Sequence, residues 1–324
     1  MRLKSICDEL LLCFNRSKIL VEKYGGGGRL YYFIDMIWSL FRYGAKSVDY
    51  CMFEFYRKSN KERNRYLTSL RYSTLYRSLK KSVPDISGDK ISEYLFFEEN
   101  IKREWLIVDK NTDEQPIIDF INKHKVVIAK PNRGEQGHGV LKIRCEDEIL
   151  LNKLLELRFN DSYILEEALI NCHELAEINA SSLNTVRVTT ITSPSGDVHI
   201  FSIILRVGIQ GSHVDNWGSG GIAYNFDIEH GICNQYGRDK LNRCYAYHPY
   251  SDIKMIGFQL PRFKELKEYI YALASMAPNA KYTGWDVAIT PNGFDLVEMN
   301  CPAGHDMFQS FDNPAYEFMK NLWQ

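Results

Sequence analysis

The sequence predicts an α+β fold behind an all-helical N-terminal region. Three observations predict it. Residues 1–85 carry apolar side chains at helical spacing and no β-rich run. From Pro84 onward, short β-rich runs are interspersed with amphipathic helices. Two pairs of those runs flank turn sequences, Ser193–Asp197 and Pro291-Asn292-Gly293, which predicts antiparallel hairpins. At 324 residues the chain is long enough for two or three domains. The expected division is a helical region over 1–84 and an α+β domain over 85–324.

The elements follow in order. Gly25–Gly28 is a four-glycine break that separates a first helix from the rest. From Tyr31 to Tyr56, ten of 26 residues are aromatic, among them Trp38, Phe41 and Phe55, which predicts a packed helical core; a helix lying on a membrane surface is the alternative. Leu67, Leu70, Leu75 and Leu79 keep helical spacing within a polar stretch. Strands are predicted at Lys125–Lys130, Gly139–Cys145, Tyr163–Glu167, Thr185–Thr192, Val198–Val207, Gly284–Thr290 and Phe294–Met299. Helices are predicted over Glu146–Phe159, Pro261–Met276 and Pro314–Trp323.

Composition excludes several classes. The hydrophobic share is 45% and the charged share 25%, as in an ordinary globular chain. The net charge of −1 gives no reason to expect a nucleic-acid partner. It hides an uneven distribution: Arg57–Lys81 holds nine Lys or Arg and one acid, Glu62. A polyanion, an anionic glycolipid or a membrane surface would suit that segment; so would a simple solvated helix face. Apolar runs fall short of the ~18 residues a membrane helix needs. No secretory signal is read, and eight cysteines without a CxxC pair read as reduced thiols of a cytoplasmic protein.

Several chemical patterns fail. His173-Glu174-Leu175-Ala176-Glu177 lacks the second histidine of a zincin helix. Trp217-Gly218-Ser219-Gly220-Gly221 lacks the first glycine of a nucleophile elbow. No Walker A sequence exists, and Gly134-x-x-Gly137-x-Gly139 leads into a strand instead of a helix, unlike a dinucleotide-binding turn.

The strongest pattern is the last hairpin. With Thr290 facing Phe294 across Pro291-Asn292-Gly293, Asp286 lies opposite Glu298. Alternation puts Asn300 on the same face as Glu298, while Trp285, Val287, Ile289, Val297 and Met299 take the other. Three oxygen ligands carrying two negative charges suit Mg²⁺ bridging a polyphosphate. A second pattern runs from Val126 to Val140: an apolar strand delivers Lys130 to a loop bearing Gly134, Gly137 and Gly139. Such a loop brings backbone N–H groups close to phosphate, beside the lysine charge. Third, Tyr163–Glu167 runs into a connector through Leu169, offering backbone groups to an adenine edge, with Glu174 placed to hold ribose hydroxyls; two surface acids at a strand end give the same pattern. Fourth, Arg187 and Arg206 sit within apolar strands, where each needs an anionic partner. A nucleotide phosphate meets that need, as does a structural ion pair.

In this order the parts resemble the ATP-grasp superfamily over roughly residues 85–310. The resemblance implies two α+β subdomains clamping ATP, here a glycine-loop and hinge subdomain over about 125–170 and a metal-binding subdomain over 171–310. It implies Lys130, and less directly Lys90, as phosphate-binding lysines, with Gly134, Gly137 and Gly139 around the phosphates. Glu167 and Leu169 match the adenine hinge, Glu174 the ribose-binding acid, and Asp286, Glu298 and Asn300 the magnesium ligands. Ser182-Leu183-Asn184-Thr185-Val186-Arg187, Asp215-Asn216 before Gly220-Gly221-Ile222, and Gly284-Trp285-Asp286-Val287-Ala288 resemble the sugar-transfer-associated branch of that superfamily, linked to bacterial surface-polysaccharide and capsule biosynthesis. Many ligases of the superfamily carry an arginine close before the first metal aspartate; Trp285 stands there in this chain.

The resemblance implies an ATP- and Mg²⁺-dependent carboxylate–amine ligase acting through an acylphosphate, on a sugar carboxylate or an amino acid. Arg187, Arg206 and Asn216 are its catalytic candidates. A phosphotransferase on the same scaffold and a non-catalytic nucleotide-binding module are the alternatives. The expected location is cytoplasmic, with a peripheral position at the inner face of the cell membrane as a second expectation.

Overall fold

The computed structural model describes residues 3–24, 28–79, 83–134, 138–211 and 217–322. Two compact units divide the chain: residues 1–81 with 304–324, and residues 82–303. The sequence reading placed 304–324 with the second domain; their contacts place them in the first unit. Buried Gln309 shows how. Its Oε1 accepts the N–H groups of Leu67 at 2.8 Å and Ala315 at 3.1 Å, and its Nε2 donates to the carbonyls of Leu67 and His305.

The first unit contains the helices Leu3–Tyr24, Arg29–Tyr43, Ser47–Met52, Asn60–Arg63 and Ser69–Leu79. Gly44 ends the second of them in the left-handed region at φ 67°, and its N–H closes on Leu40. The aromatic stretch splits into two populations. Tyr32, Tyr43, Tyr50, Phe53 and Phe55 are buried, and Tyr66 joins them, with Phe53 and Tyr66 stacked at 5.0 Å. Tyr31, Trp38 and Phe41 are exposed instead. The basic segment is partly folded inward as well. Arg63 is buried and grips Asp35 through both terminal nitrogens at 2.7 and 2.8 Å. Arg71 stacks on Tyr316 at 3.9 Å and donates to the carbonyls of Asn64 and Tyr66. Lys58 pairs with Asp312 at 2.5 Å.

Within the second unit, among the described residues, two antiparallel sheets form. The first contains β1 (Trp105–Val108), β2 (Val126–Pro131), β3 (Leu141–Arg144) and β4 (Tyr163–Glu167), ordered β1-β4-β2-β3. Alternation sends Val127, Ala129 and Leu165 into a core shared with Ile117 and Ile121 of the helix Glu114–His124 and with Leu154 of the helix Glu148–Leu157. The second sheet contains β5 (Thr185–Thr192), β6 (Val198–Val207), β7 (Ile222–Phe226), β8 (Gly237–Arg238), β9 (Cys244–Tyr245), β10 (Tyr282–Thr290) and β11 (Gly293–Asn300), ordered β11-β10-β5-β6-β7-β8-β9. Its apolar face is covered by the helix Phe263–Met276, whose Leu266, Ile270 and Leu273 repeat at helical spacing and are fully buried. This core continues to Tyr94, Phe97 and Ile164, so the other face of the first sheet packs into it. All eight cysteines are unpaired thiols.

The β10–β11 hairpin differs from its predicted register in an instructive way. Thr290 pairs with Gly293, so the turn is one residue shorter than expected. A bulge between Asp286 and Val287 adds that residue back on β11, and Asp286 again faces Glu298. Leu296, not Val297, thereby becomes the core residue opposite Val287, and Val297 is only half-buried.

One buried side chain connects the two sheets. Arg103 has no exposed side-chain surface. Its Nε donates to Glu166 of β4 at 2.8 Å, and its Nη1 donates to Asp295 of β11 and to the Leu296 carbonyl. Removing one partner of a buried ion pair strands its counter-charges. Arg103→Met is therefore expected to lower the unfolding free energy by about 3–5 kcal/mol, and adding Asp295→Asn to recover part of the loss. Denaturant titration checks both; a loss within 1 kcal/mol for the single variant contradicts this assignment.

Candidate functional site

The register of three adjacent strands sets Glu298, Asp286 and Arg187 side by side on β11, β10 and β5. Two residues along, Gly284 pairs with Asn300. On the neighbouring strands Thr185 pairs with Arg206 of β6. Because side chains alternate, all of these share the face opposite Trp285 and Val287. The sequence thus brings Asp286, Glu298 and Asn300 together with both strand arginines.

Asp286 is buried, at 2% exposure, and its carboxylate is saturated. Arg187 grips both of its oxygens through Nε and Nη2, the latter at 2.6 Å. Arg206 Nη2 reaches Oδ2 at 3.0 Å while also donating to Thr185 Oγ1 at 2.6 Å. Asn300 Nδ2 stands 3.5 Å from the same oxygen. Burial alone would raise the pKa of Asp286, but Arg187, then Arg206, outweigh it and hold the carboxyl below its ordinary value. Gly284 makes room for this grip: a Cβ there would lie 3.0 Å from Arg187 Cδ. The anionic partner that the strand arginines require is therefore the predicted first metal ligand itself.

A second group approaches from the helix Lys90–Phe96, capped by Asp89. Lys90 Nζ lies 3.6 Å from Glu298 and donates to the Gly134 carbonyl at 2.8 Å, joining the hairpin to the start of the glycine loop. Three residues on, buried Glu93 accepts the Met299 N–H at 2.5 Å, between Glu298 and Asn300. Burial, and then the nearby Glu298 carboxylate, push Glu93 up to about 8. Lys130 leaves the end of β2 and pairs with Glu166 at 2.7 Å, with Tyr94 Oη at 3.4 Å. Tyr94 and Arg103 hold the other oxygen of Glu166.

The remaining candidates lie elsewhere or outside the description. Gly139 adopts φ 78°, a conformation in which glycine is unstrained. Gly137 and Asn216 lie outside the described residues. Glu167 closes β4, its carboxylate accepting the Glu104 N–H at 3.3 Å, and Leu169 follows it half-buried. Glu174 is exposed in the first turn of the short helix His173–Ile178. The connector before that helix lies beside the hairpin, since the Cys172 N–H donates to the Ile289 carbonyl at 2.8 Å.

Sequence reasoning passed over Glu93, Tyr94, Arg103 and Asp295, and read Glu166 only as one of two acids at a strand end. For Glu166 a signal existed: alternation sets it on the face of Ile164, and β2 pairing adds Lys130 to that face. For the others no local pattern carries the information.

Among the described residues, no three His, Cys, Asp or Glu side chains converge as a metal-binding group. The hairpin set has two acids and an amide. Its donors are all oxygen and lie side by side, which suits a hard cation. The surrounding charge decides how one would be held. Lys90, Lys130, Arg187 and Arg206 face Asp286, Glu298 and Glu166, four cations against three carboxylates. A bare divalent ion gains little here, whereas a polyphosphate carrying its ion meets cations and oxygen donors together.

The sugar-transfer associated ATP-grasp family matches residues 90–314, more than half of the chain. No curated protein matches the sequence. Solved structures with a similar fold include D-alanyl-alanine synthetase A from Vibrio cholerae, 13% identical at a TM-score of 0.46, covering 74% of this chain and 61% of that one. N5-carboxyaminoimidazole ribonucleotide synthetase in its ADP complex is 12% identical at 0.45, covering 71% and 51%. The ATP-grasp ligase PsnB, complexed with a minimal precursor, Mg and ADP, is 16% identical at 0.42, covering 78% and 63%. The chain thus spans less than two-thirds of each, and the likeness concerns the fold alone.

The Glu166 cluster gives a pH signature. Burial opposes ionisation of Glu166, but Arg103 and then Lys130 lower its pKa to about 2 from 4.5. A depressed carboxyl contributes stability above pH 4.5 and loses it as pH falls toward 2. Wild-type protein is expected to lose about 3 kcal/mol more than Glu166→Gln over that window. Denaturant unfolding at stepped pH measures the difference; parallel curves contradict it.

Proposed function

We propose that this chain, which belongs to the sugar-transfer associated ATP-grasp family, is an ATP-dependent carboxylate–amine ligase working through an acylphosphate. The observation that carries the reading is the charge arrangement on one sheet face. Asp286, Glu298 and Asn300 lie side by side, with Arg187 and Arg206 on Asp286 and Lys90 on Glu298.

The reaction follows from what such a surface can hold. A carboxylate oxygen attacks the γ-phosphorus, the bond to the β–γ bridging oxygen breaks, and ADP departs. The amine lone pair then attacks the acyl carbon, phosphate leaves with the C–O bonding pair, and the amine gives up a proton. Lys90 and Lys130, with Gly134 beside them, hold the polyphosphate. Arg187 and Arg206 are assigned to the γ-phosphoryl, whose oxygens a guanidinium fork can bind bidentately. Asp286, Glu298 and Asn300 would hold Mg²⁺, which would neutralise charge on the polyphosphate. Glu93 fixes β11 between Glu298 and Asn300 through the Met299 N–H. Glu167, Leu169 and Glu174 are assigned to the adenosine end, and Asn216 to the acceptor side. The family's association supports a sugar carboxylate or an amino acid as substrate, in surface-polysaccharide or capsule assembly, at a cytoplasmic location.

Two outcomes follow. In a ³¹P NMR time course with Mg-ATP, an amino-acid mixture and sugar-linked acceptors, ADP and free phosphate are expected in equal amounts, dependent on both substrates. A new phosphomonoester signal would instead make the chain a phosphotransferase. Glu298→Gln is expected to leave the melting temperature within 2 °C and to lower kcat by about 10²–10³-fold, the range for losing one preorganised electrostatic group. Residual activity within tenfold of wild type contradicts the assignment.

A further inference from the structure

We propose that the helix Arg29–Tyr43 seats this chain on an anionic lipid bilayer. Its outward side is an uninterrupted apolar stripe. Leu30, Ile34, Trp38 and Phe41 recur at helical spacing and are 68%, 56%, 52% and 79% exposed. Tyr31 is exposed beside them, while Phe33 and Ile37 are half-buried at the edge. At 100° per residue these seven side chains fill an arc of about 160° without a polar residue. The opposite side holds Tyr32, Met36, Ser39, Leu40 and Tyr43, which are buried. The helix is therefore already fully packed on one side, and the stripe is surplus to that packing. Phe14 of the preceding helix meets Phe33 edge to face at 6.1 Å and extends the apolar surface.

An arginine stands near each margin of the arc, and the one acid there, Asp35, is held by Arg63. Arg29 lies over the Phe14 ring at 3.6 Å, and exposed Arg42 stands at the other border. Aromatic and branched side chains on one face with arginines at its edges are the makeup of a helix that lies in the headgroup plane. The helix has 15 residues, about 22 Å, too short for a hydrocarbon core of about 30 Å. No helix among the described residues is long and apolar enough to cross a membrane. The stripe accordingly lies along a surface.

Charge selects the occupant. The unit that carries this helix has eighteen Lys or Arg against ten Asp or Glu, a net +8. The other unit has twenty-two against thirty-one, a net −9. A second copy docking stripe to stripe would bring +8 against +8. An anionic bilayer offers the apolar boundary and the opposite charge together.

The test is sedimentation of the full chain with vesicles of phosphatidylcholine alone or with about 30% phosphatidylglycerol. Binding is expected to the anionic vesicles only, to weaken as salt rises, and to shift Trp38 emission to the blue. Trp38→Glu combined with Phe41→Glu is expected to cut vesicle binding at least tenfold while the melting temperature stays within about 2 °C of wild type, which shows that the variant is folded. Equal sedimentation of wild type and variant overturns the proposal. So does a concentration-dependent dimer that the double variant abolishes, since a second copy would then cover the stripe.

Discussion

A guanidinium with no exposed surface is the constraint on which the second unit depends. Arg103 cannot remain charged in the interior without compensation, and it cannot lose its proton. It must hold Glu166 on one sheet and Asp295 on the other. That requirement ties β4 of one sheet to β11 of the other through a single side chain. It also fixes the chemistry nearby. Glu166 is kept ionised, and Lys130 takes its remaining oxygen. Lys130 thus enters the candidate site already oriented, with its charge largely answered.

Asp286 follows the same logic from the opposite side. Two arginines answer one buried carboxylate, which leaves positive charge in excess on that face. Lys90 answers Glu298 one for one, so that excess is kept. A surface built this way discriminates by charge before it discriminates by shape: it disfavours a lone divalent cation and favours an anion that brings one. Glu93 adds a different kind of support. As a mostly neutral acid it can sit beside Glu298 without the full cost of like charges, and its contact to the Met299 N–H steadies the strand that carries both Glu298 and Asn300.

Much of this was legible because strands have an exact period of two. The facing of Asp286 and Glu298 came from counting, although the count held for a reason outside it. The turn is a residue shorter than supposed, and the bulge at β11 restores the register before Glu298. Local sequence does not announce a bulge; the burial of Leu296 and the need to pair Asp286 select it. The strand arginines announced that they needed an anion but not which one. Arg103 and Asp295 were silent, because 192 residues separate them and no periodicity relates them.

The aromatic segment shows where composition stops being informative. Ten rings in 26 residues read as a packed core or as a membrane-surface helix, and in the fold they divide into an enclosed and an exposed set. Phe55 and Tyr50 are enclosed, whereas Trp38 and Phe41 face outward from a helix whose other side is already filled. The distinction lies in phase: residues 32, 36, 39, 40 and 43 face inward together, and residues 30, 34, 38 and 41 face outward together. A helix apolar all round is ordinarily buried all round. Here the exposed arc holds no polar residue although the opposite side is already filled. The unit that carries the helix is net +8, which suits an anionic boundary.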